Sequence, residues 1–254
     1  MHGRIRIRHF LLFGGALLRK ATCRGLSVAL KPRTLPPSIE RTDSAFPGAL
    51  IVGVDEAGRG AWAGPVVAAA VAVRPGAVGL EKGIQDSKQL NERQREWVFE
   101  QLMHHPDVYW GISQTDERRI EEVNILQATF EAMSTATHEA MASAGRNLLA
   151  TKKRILVDGN QVPPQLLDDY PCKSVIAGDT TIFAIAAASI IAKVTRDRWM
   201  RDLSTRHTEF TFGKHKGYGT KGHLLELKQH GPLEAHRRTY EPLKTFFRTG
   251  QWRR

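Results

Sequence analysis

Short apolar blocks alternate along the chain with stretches of helical periodicity. The first block, 51–54, is rich in β-branched residues and stops at two adjacent carboxylates, Asp55 and Glu56, which reads as a buried strand. Residues 57–60, Ala-Gly-Arg-Gly, are too glycine-rich to continue a strand or open a helix. A second apolar run at 66–73 reads as the next strand, and the turn between the two predicts an antiparallel pair. A helix is expected from about 92 to 103, with Asn91 and Gln94 spaced as a capping box. A short strand at 108–113 follows, then helices at 116–123 and 125–142, with Leu126, Phe130 and Met133 on a core face. Strands are expected at 154–157, ending at Asp158, and at 174–177, ending at Gly178-Asp179. A long helix is expected over 181–203, with Ile182, Ile185, Ser189, Ile190 and Val194 inward. A basic glycine-rich loop at 213–222 and a helix at 221–229 complete the pattern. Three early strands without long crossovers, then strands alternating with helices, predict an α/β fold with a mixed sheet flanked by helices.

This order places acidic residues at one edge. Asp55, Asp158 and Asp179 are each expected just past the C-terminal end of a short apolar strand, the edge where open α/β sheets bind ligands. Neighbouring residues of an extended strand face opposite ways, so Asp55 and Glu56 are expected to meet on one ligand only where the strand ends. Anionic oxygen donors on such an edge suit a hard divalent cation, while a solvated acidic turn fits Asp55 and Glu56 equally well. Asp197 is a rival for the fourth position, but on one helix it would lie roughly 27 Å beyond Asp179. It sits four residues after Lys193, the spacing of an ion pair. Asp179 also stands where it could cap the long helix.

Charge sharpens the picture. The chain of 254 residues carries a net charge of +11, distributed as +7 over 1–48, −5 over 49–192 and +9 over 193–254. An acidic centre beside a basic C-terminal segment fits a carboxylate cluster next to a polyanion-binding surface. Residues 1–48 hold Arg and Lys among short apolar pieces, with Glu40 as the first acid, and are expected to form an extension and linker outside a folded domain spanning 49–248. Such a start resembles an organellar transit peptide; a disordered tail fits as well, so the expected location is the cytoplasm, or an organelle if the extension is a targeting signal. The apolar stretch 10–18 is too short to cross a bilayer, so no membrane association is expected. Cys23 and Cys172 form no CxxC, which points away from a disulfide framework or zinc ribbon and toward a reducing compartment.

The segments DEAGRGAWAGPV from Asp55, DSKQL from Asp86, LVDGN from Leu156, GD at 178–179, AASIIAKVTRDR from Ala187 and HKGYGT from His215 together resemble the type 2 ribonucleases H, the bacterial ribonuclease HII family. The resemblance runs from about Ile51 to Lys244. One departure is Trp62, where the family usually has a smaller aliphatic residue, and only packing is expected to feel it. The resemblance implies an RNase H-like five-stranded mixed sheet with a small helical C-terminal segment. It also implies endonucleolytic cleavage of RNA in RNA–DNA hybrids and 5′ of single ribonucleotides in duplex DNA. It places catalytic metal ligands at Asp55, Glu56, Asp158 and Asp179, for two Mn²⁺ or Mg²⁺ ions. It further puts the turn Gly58-Arg59-Gly60 and Tyr218 on the sugar at the RNA–DNA junction. Lys88, Lys214 and Lys216 are candidates for phosphate contacts. Lys193 could orient a carboxylate or pair with Asp197. A monomer is expected.

Two other classes compete. A metal-independent ribonuclease would need a histidine pair, for which His215, His223 and His230 are available, but it would leave the carboxylates unexplained. A non-catalytic nucleic-acid-binding module would explain the basic charge alone. A P-loop is set aside because the glycine-rich turn lacks the GK[ST] that holds phosphate.

Overall fold

The computed structural model describes residues 49–74, 90–145 and 152–252. Strand β1 (Leu50–Ala57) lies at the centre of a five-stranded sheet. It pairs antiparallel with β2 (Val66–Val73), which pairs antiparallel with β3 (Val108–Thr115). On its other side it runs parallel to β4 (Lys153–Asp158), which runs parallel to β5 (Cys172–Val175), so the order is β3-β2-β1-β4-β5. The expected mixed sheet is therefore the observed one.

Both faces of β1 are covered, and its alternation tells which residue faces which layer. Leu50, Val52 and Val54 join Ala68, Ala70 and Ala72 of β2 in a core with Phe130, Met133 and Ala136. Those last residues belong to α2 (Glu117–Ser143). The opposite set, Ile51 with Leu156, packs on Ala184 and Ile185 of α3 (Phe183–Arg206). Gly53 shares that face, and a Cβ there would come within 2.1 Å of the Ala184 carbonyl carbon; only glycine lets the helix backbone lie directly on the strand.

Helix α1 (Glu92–His104) starts with the expected capping box: the Asn91 side chain accepts from Gln94 N–H, and the Gln94 side chain accepts from Asn91 N–H. The two helices expected around residue 124 form one span broken at Asn124, whose φ of 70° and ψ of 165° lie outside helical space. There the Asn124 carboxamide accepts from Leu126 N–H and restarts the helix. Strand β5 sits two residues earlier than expected. Ala177 turns the chain with φ of 52°, and a single 3-10 turn, Gly178–Thr180, precedes α3. The basic loop contains one short helix, α4 (Phe212–His215), and leads to α5 (Lys221–His230) and α6 (Leu243–Thr249). Helix α3 is buried nearly all round, because it lies between the sheet and the C-terminal layer.

Candidate active site

The carboxylates meet where the β1–β4 ladder stops. That pairing ends at Val54 opposite Val157, while pairing with β2 continues to Ala57. For residues 55–57 the strand thus persists on one side and is open on the other. This corrects the expectation that the two acids lie past the strand end: both are within β1 and reach the same cavity across its open edge. Asp158 is the last residue of β4, and its Oδ1 accepts from Gly178 N–H at 2.7 Å and Asp179 N–H at 3.4 Å. One acid therefore holds the turn that carries the next. Asp179 does not cap α3, whose N-cap is Ile182 without a side-chain bond.

Asp55, Glu56, Asp158 and Asp179 line one cavity of about 420 Å³, together with Gly58, Arg59, Gly60, Arg95, Ser189, Lys193 and Tyr218. Burial first, then the neighbouring charges of Glu56 and Asp158, push the Asp55 carboxyl well above the usual carboxylate range. Hydrogen bonds from Ser189 of α3 and from Glu56 N–H, the latter at 2.7 Å, oppose that shift. Glu56 is also raised by burial, with Arg59 pulling the other way through an ion pair at 3.3 Å.

The donor set is all oxygen and anionic, which in kind fits a hard divalent cation and not a soft one. Among the described residues no three His, Cys, Asp or Glu side chains converge at metal-ligand spacing. The acids share a cavity but are not drawn to a point, and closing them on a common centre needs positive charge to offset their repulsion.

The remaining sequence candidates divide. The turn Gly58–Gly60 and Tyr218 line the same cavity as the carboxylates. Lys214 and Lys216 are not in its wall. Lys214 is exposed on α4, and the largely buried Lys216 ammonium lies 3.6 Å from Glu92 at the start of α1. Lys88 lies outside the described residues. Of the two roles foreseen for Lys193, the structure shows the ion pair with Asp197, at 2.7 Å; the residue also lines the cavity. Arg95 and Ser189 were missed. Arg95 falls in an ordinary charged helix and Ser189 on an apolar stripe, so neither carries a signal until the helices are packed.

Two of the three histidines proposed for a metal-free mechanism, His215 and His223, are committed to holding backbone. Leu233 N–H donates to His236 Nδ1, so His236 Nε2 carries the proton and donates to His223 Nε2 at 3.0 Å. His223 Nδ1 in turn donates to the Tyr218 carbonyl. His215 accepts from Gly217 N–H and donates to Glu226 at 2.9 Å. His215, His223 and His236 are buried and fix the backbone beside Tyr218, while His230 is exposed on α5.

Comparison with known proteins bears on the same chain. A solved structure of ribonuclease H2 from Pyrococcus horikoshii OT3 superposes with a TM-score of 0.58 at 27% identity, covering 79% of this chain and 99% of that one. The sheet, its flanking helices and the carboxylate edge thus define a protein of the RNase H-like class. The sequence match to the Ribonuclease HII family spans residues 52–243. Ribonuclease HII of Chlamydia muridarum is 46% identical over 200 residues, covering 79% of this chain and 86% of the relative. That of Xanthomonas campestris pv. campestris is 42% identical over 206 residues, covering 80% and 81%. The chain belongs to the Ribonuclease HII family and is an endoribonuclease that acts on the RNA of RNA–DNA hybrids.

Proposed function

We propose that this protein incises duplex DNA on the 5′ side of single embedded ribonucleotides, as well as cutting longer hybrids, with two divalent cations, Mn²⁺ or Mg²⁺, held by Asp55, Glu56, Asp158 and Asp179. The observation that carries this reading is the shared cavity: four acids from three separate segments of the chain line it together with the Gly58–Gly60 turn and Tyr218. The chemistry such cations supply is neutralisation of the scissile phosphate and acidification of an attacking water. The chain's own residues do the rest. The acids define where the phosphate must sit, and the Ser189 hydroxyl and Glu56 N–H favour the ionised form of Asp55 against the burial that opposes it. Lys193 and Arg95 add positive charge to the same cavity, where they can meet phosphate oxygens. Attack in line with the departing 3′-oxygen leaves 5′-phosphate and 3′-hydroxyl ends, so the 2′-hydroxyl is read and not used. We assign that reading to the Gly58 backbone and to the phenol of Tyr218, a residue 37% exposed.

We take the catalytic domain as 49–248, the protein as a monomer and its compartment as the cytoplasm; no helix among the described residues is long and apolar enough to cross a membrane. The test is cleavage of a duplex carrying one ribonucleotide, with and without Mn²⁺, followed by end analysis. A metal-dependent cut 5′ of the ribonucleotide is expected. Activity in excess EDTA with 2′,3′-cyclic phosphate products would overturn the reading. Tyr218→Ala should blunt the preference for single ribonucleotides more than it weakens binding.

A further inference from the structure

The Gly58–Gly60 turn and Tyr218 belong to distant segments, and something must fix the distance between them. Their loops touch directly: the N–H groups of Trp62 and Ala63 donate to the Gly217 carbonyl at 2.8 and 3.3 Å. Between them stands Arg196 of α3, only 1% exposed. Its Nε donates to the Pro65 carbonyl, Nη2 to Ala63 and Nη1 to Lys216, each at 2.9 Å. The guanidinium carbon is 5.3 Å from the centre of the Tyr218 ring. On the other loop, a Cβ added at Gly58 would lie 2.0 Å from Arg196 Nε, so the guanidinium occupies the space directly beside that glycine. One planar cation therefore bonds to carbonyls of both loops, abuts the glycine of one and sits near the aromatic ring of the other. A second stop lies nearby, where a Cβ on Gly219 would come within 2.3 Å of the Trp62 indole.

Burying a guanidinium is costly, and loops of this length can close on backbone bonds and apolar packing alone. A fork that spends all three nitrogens on two loops fixes their separation, which a flexible or apolar side chain would not do. We propose that Arg196 is a positioning residue for ribose selectivity, holding the Gly58 turn and Tyr218 at one separation so that both bear on the same sugar, with the Trp62–Gly219 contact as the second stop. This rests on the reading above that those two segments meet the sugar.

The test compares kcat/KM on a duplex with one ribonucleotide and on a uniform RNA–DNA hybrid. Arg196→Lys keeps the charge but loses the fork. It should lower the ratio of the two rates by about 10- to 100-fold, the cost of a small misplacement at a reacting centre. In a Tyr218→Ala background the same change should leave the ratio within about twofold, since the two residues act as a unit. Equal losses on both substrates, or effects that simply multiply, would overturn the proposal. Gly219→Ala provides a second arm that leaves the buried cation in place. It should lower the ratio by driving the loops apart, and Trp62→Leu in that background should restore it. If Arg196→Lys does not fold, this pair decides alone, and absence of loss or of restoration overturns the proposal. A wild-type enzyme that does not cut the single-ribonucleotide duplex would instead defeat the underlying reading before any variant is made.

Discussion

Asp55 is buried beside Glu56 and within electrostatic reach of Asp158, so at neutral pH its charge is held at a cost. A carboxyl whose folded pKa is raised is favourable to folding while protonated and loses that advantage as pH rises from its ordinary value through the raised one. Asp55→Asn removes the charge without changing the shape. Turnover should fall by more than about 100-fold, while the melting temperature in metal-free buffer should rise. A melting temperature that falls instead would mean that Asp55 is more strongly stabilised than its surroundings indicate. Asp158→Asn should also lose turnover. It should not gain the same stability, because an amide oxygen accepts the Gly178 N–H more weakly than the Asp158 carboxylate that holds the next acid in place. Thermal scans of the two variants side by side separate these roles.

Helix α3 and strand β1 carry much of the site between them, and their approach depends on Gly53. Gly53→Ala should destabilise the protein by roughly 3 kcal/mol or more, as expected when an atom is forced into backbone contact, with activity lost in step with folding. Denaturant midpoints check this. The loop between α4 and α5 depends on a different device. Burial lowers His223 to about 4 and His236 to about 3, and their fixed tautomers leave no acceptor for an added proton. Both folded values lie below the ordinary 6.5. The unfolded chain therefore takes up protons first as pH falls, so stability is full above about pH 6.5 and declines toward pH 4. The expected loss is on the order of 3 kcal/mol from His223 alone. Urea unfolding at pH 7 and pH 4.5, with His223→Gln to flatten the difference, measures it.

The molecule sets an acidic cavity against a basic C-terminal segment, and the two respond to different ions. Divalent metal should raise the melting temperature, by about 2.7 kcal/mol of stability at 100 times its Kd, and Asp55→Asn should abolish most of that gain. Monovalent salt should act on substrate binding instead, with log affinity falling against log salt at about 0.9 per phosphate contact. Differential scanning fluorimetry and filter binding across a salt series keep the two apart.

What the sequence by itself determined was local: each apolar block that became a strand, the capping box at Asn91, the interruption at Asn124, and acids at or near the ends of three apolar blocks. Such signals depend on near neighbours, so strand and helix periodicities and turn residues carry them without a partner. The motifs from Asp55 to the GYGT loop were likewise legible as a family resemblance. Tertiary structure alone decided how Asp55 and Glu56 share a cavity, since the open edge exists only because β4 stops pairing at Val157. It alone brought Arg95 and Ser189 to the wall, turned Lys216 toward Glu92, and committed the histidines to holding a loop. A burial, a tautomer or a guanidinium fork between two loops arises from groups far apart along the chain, and only packing brings them within a hydrogen bond's reach.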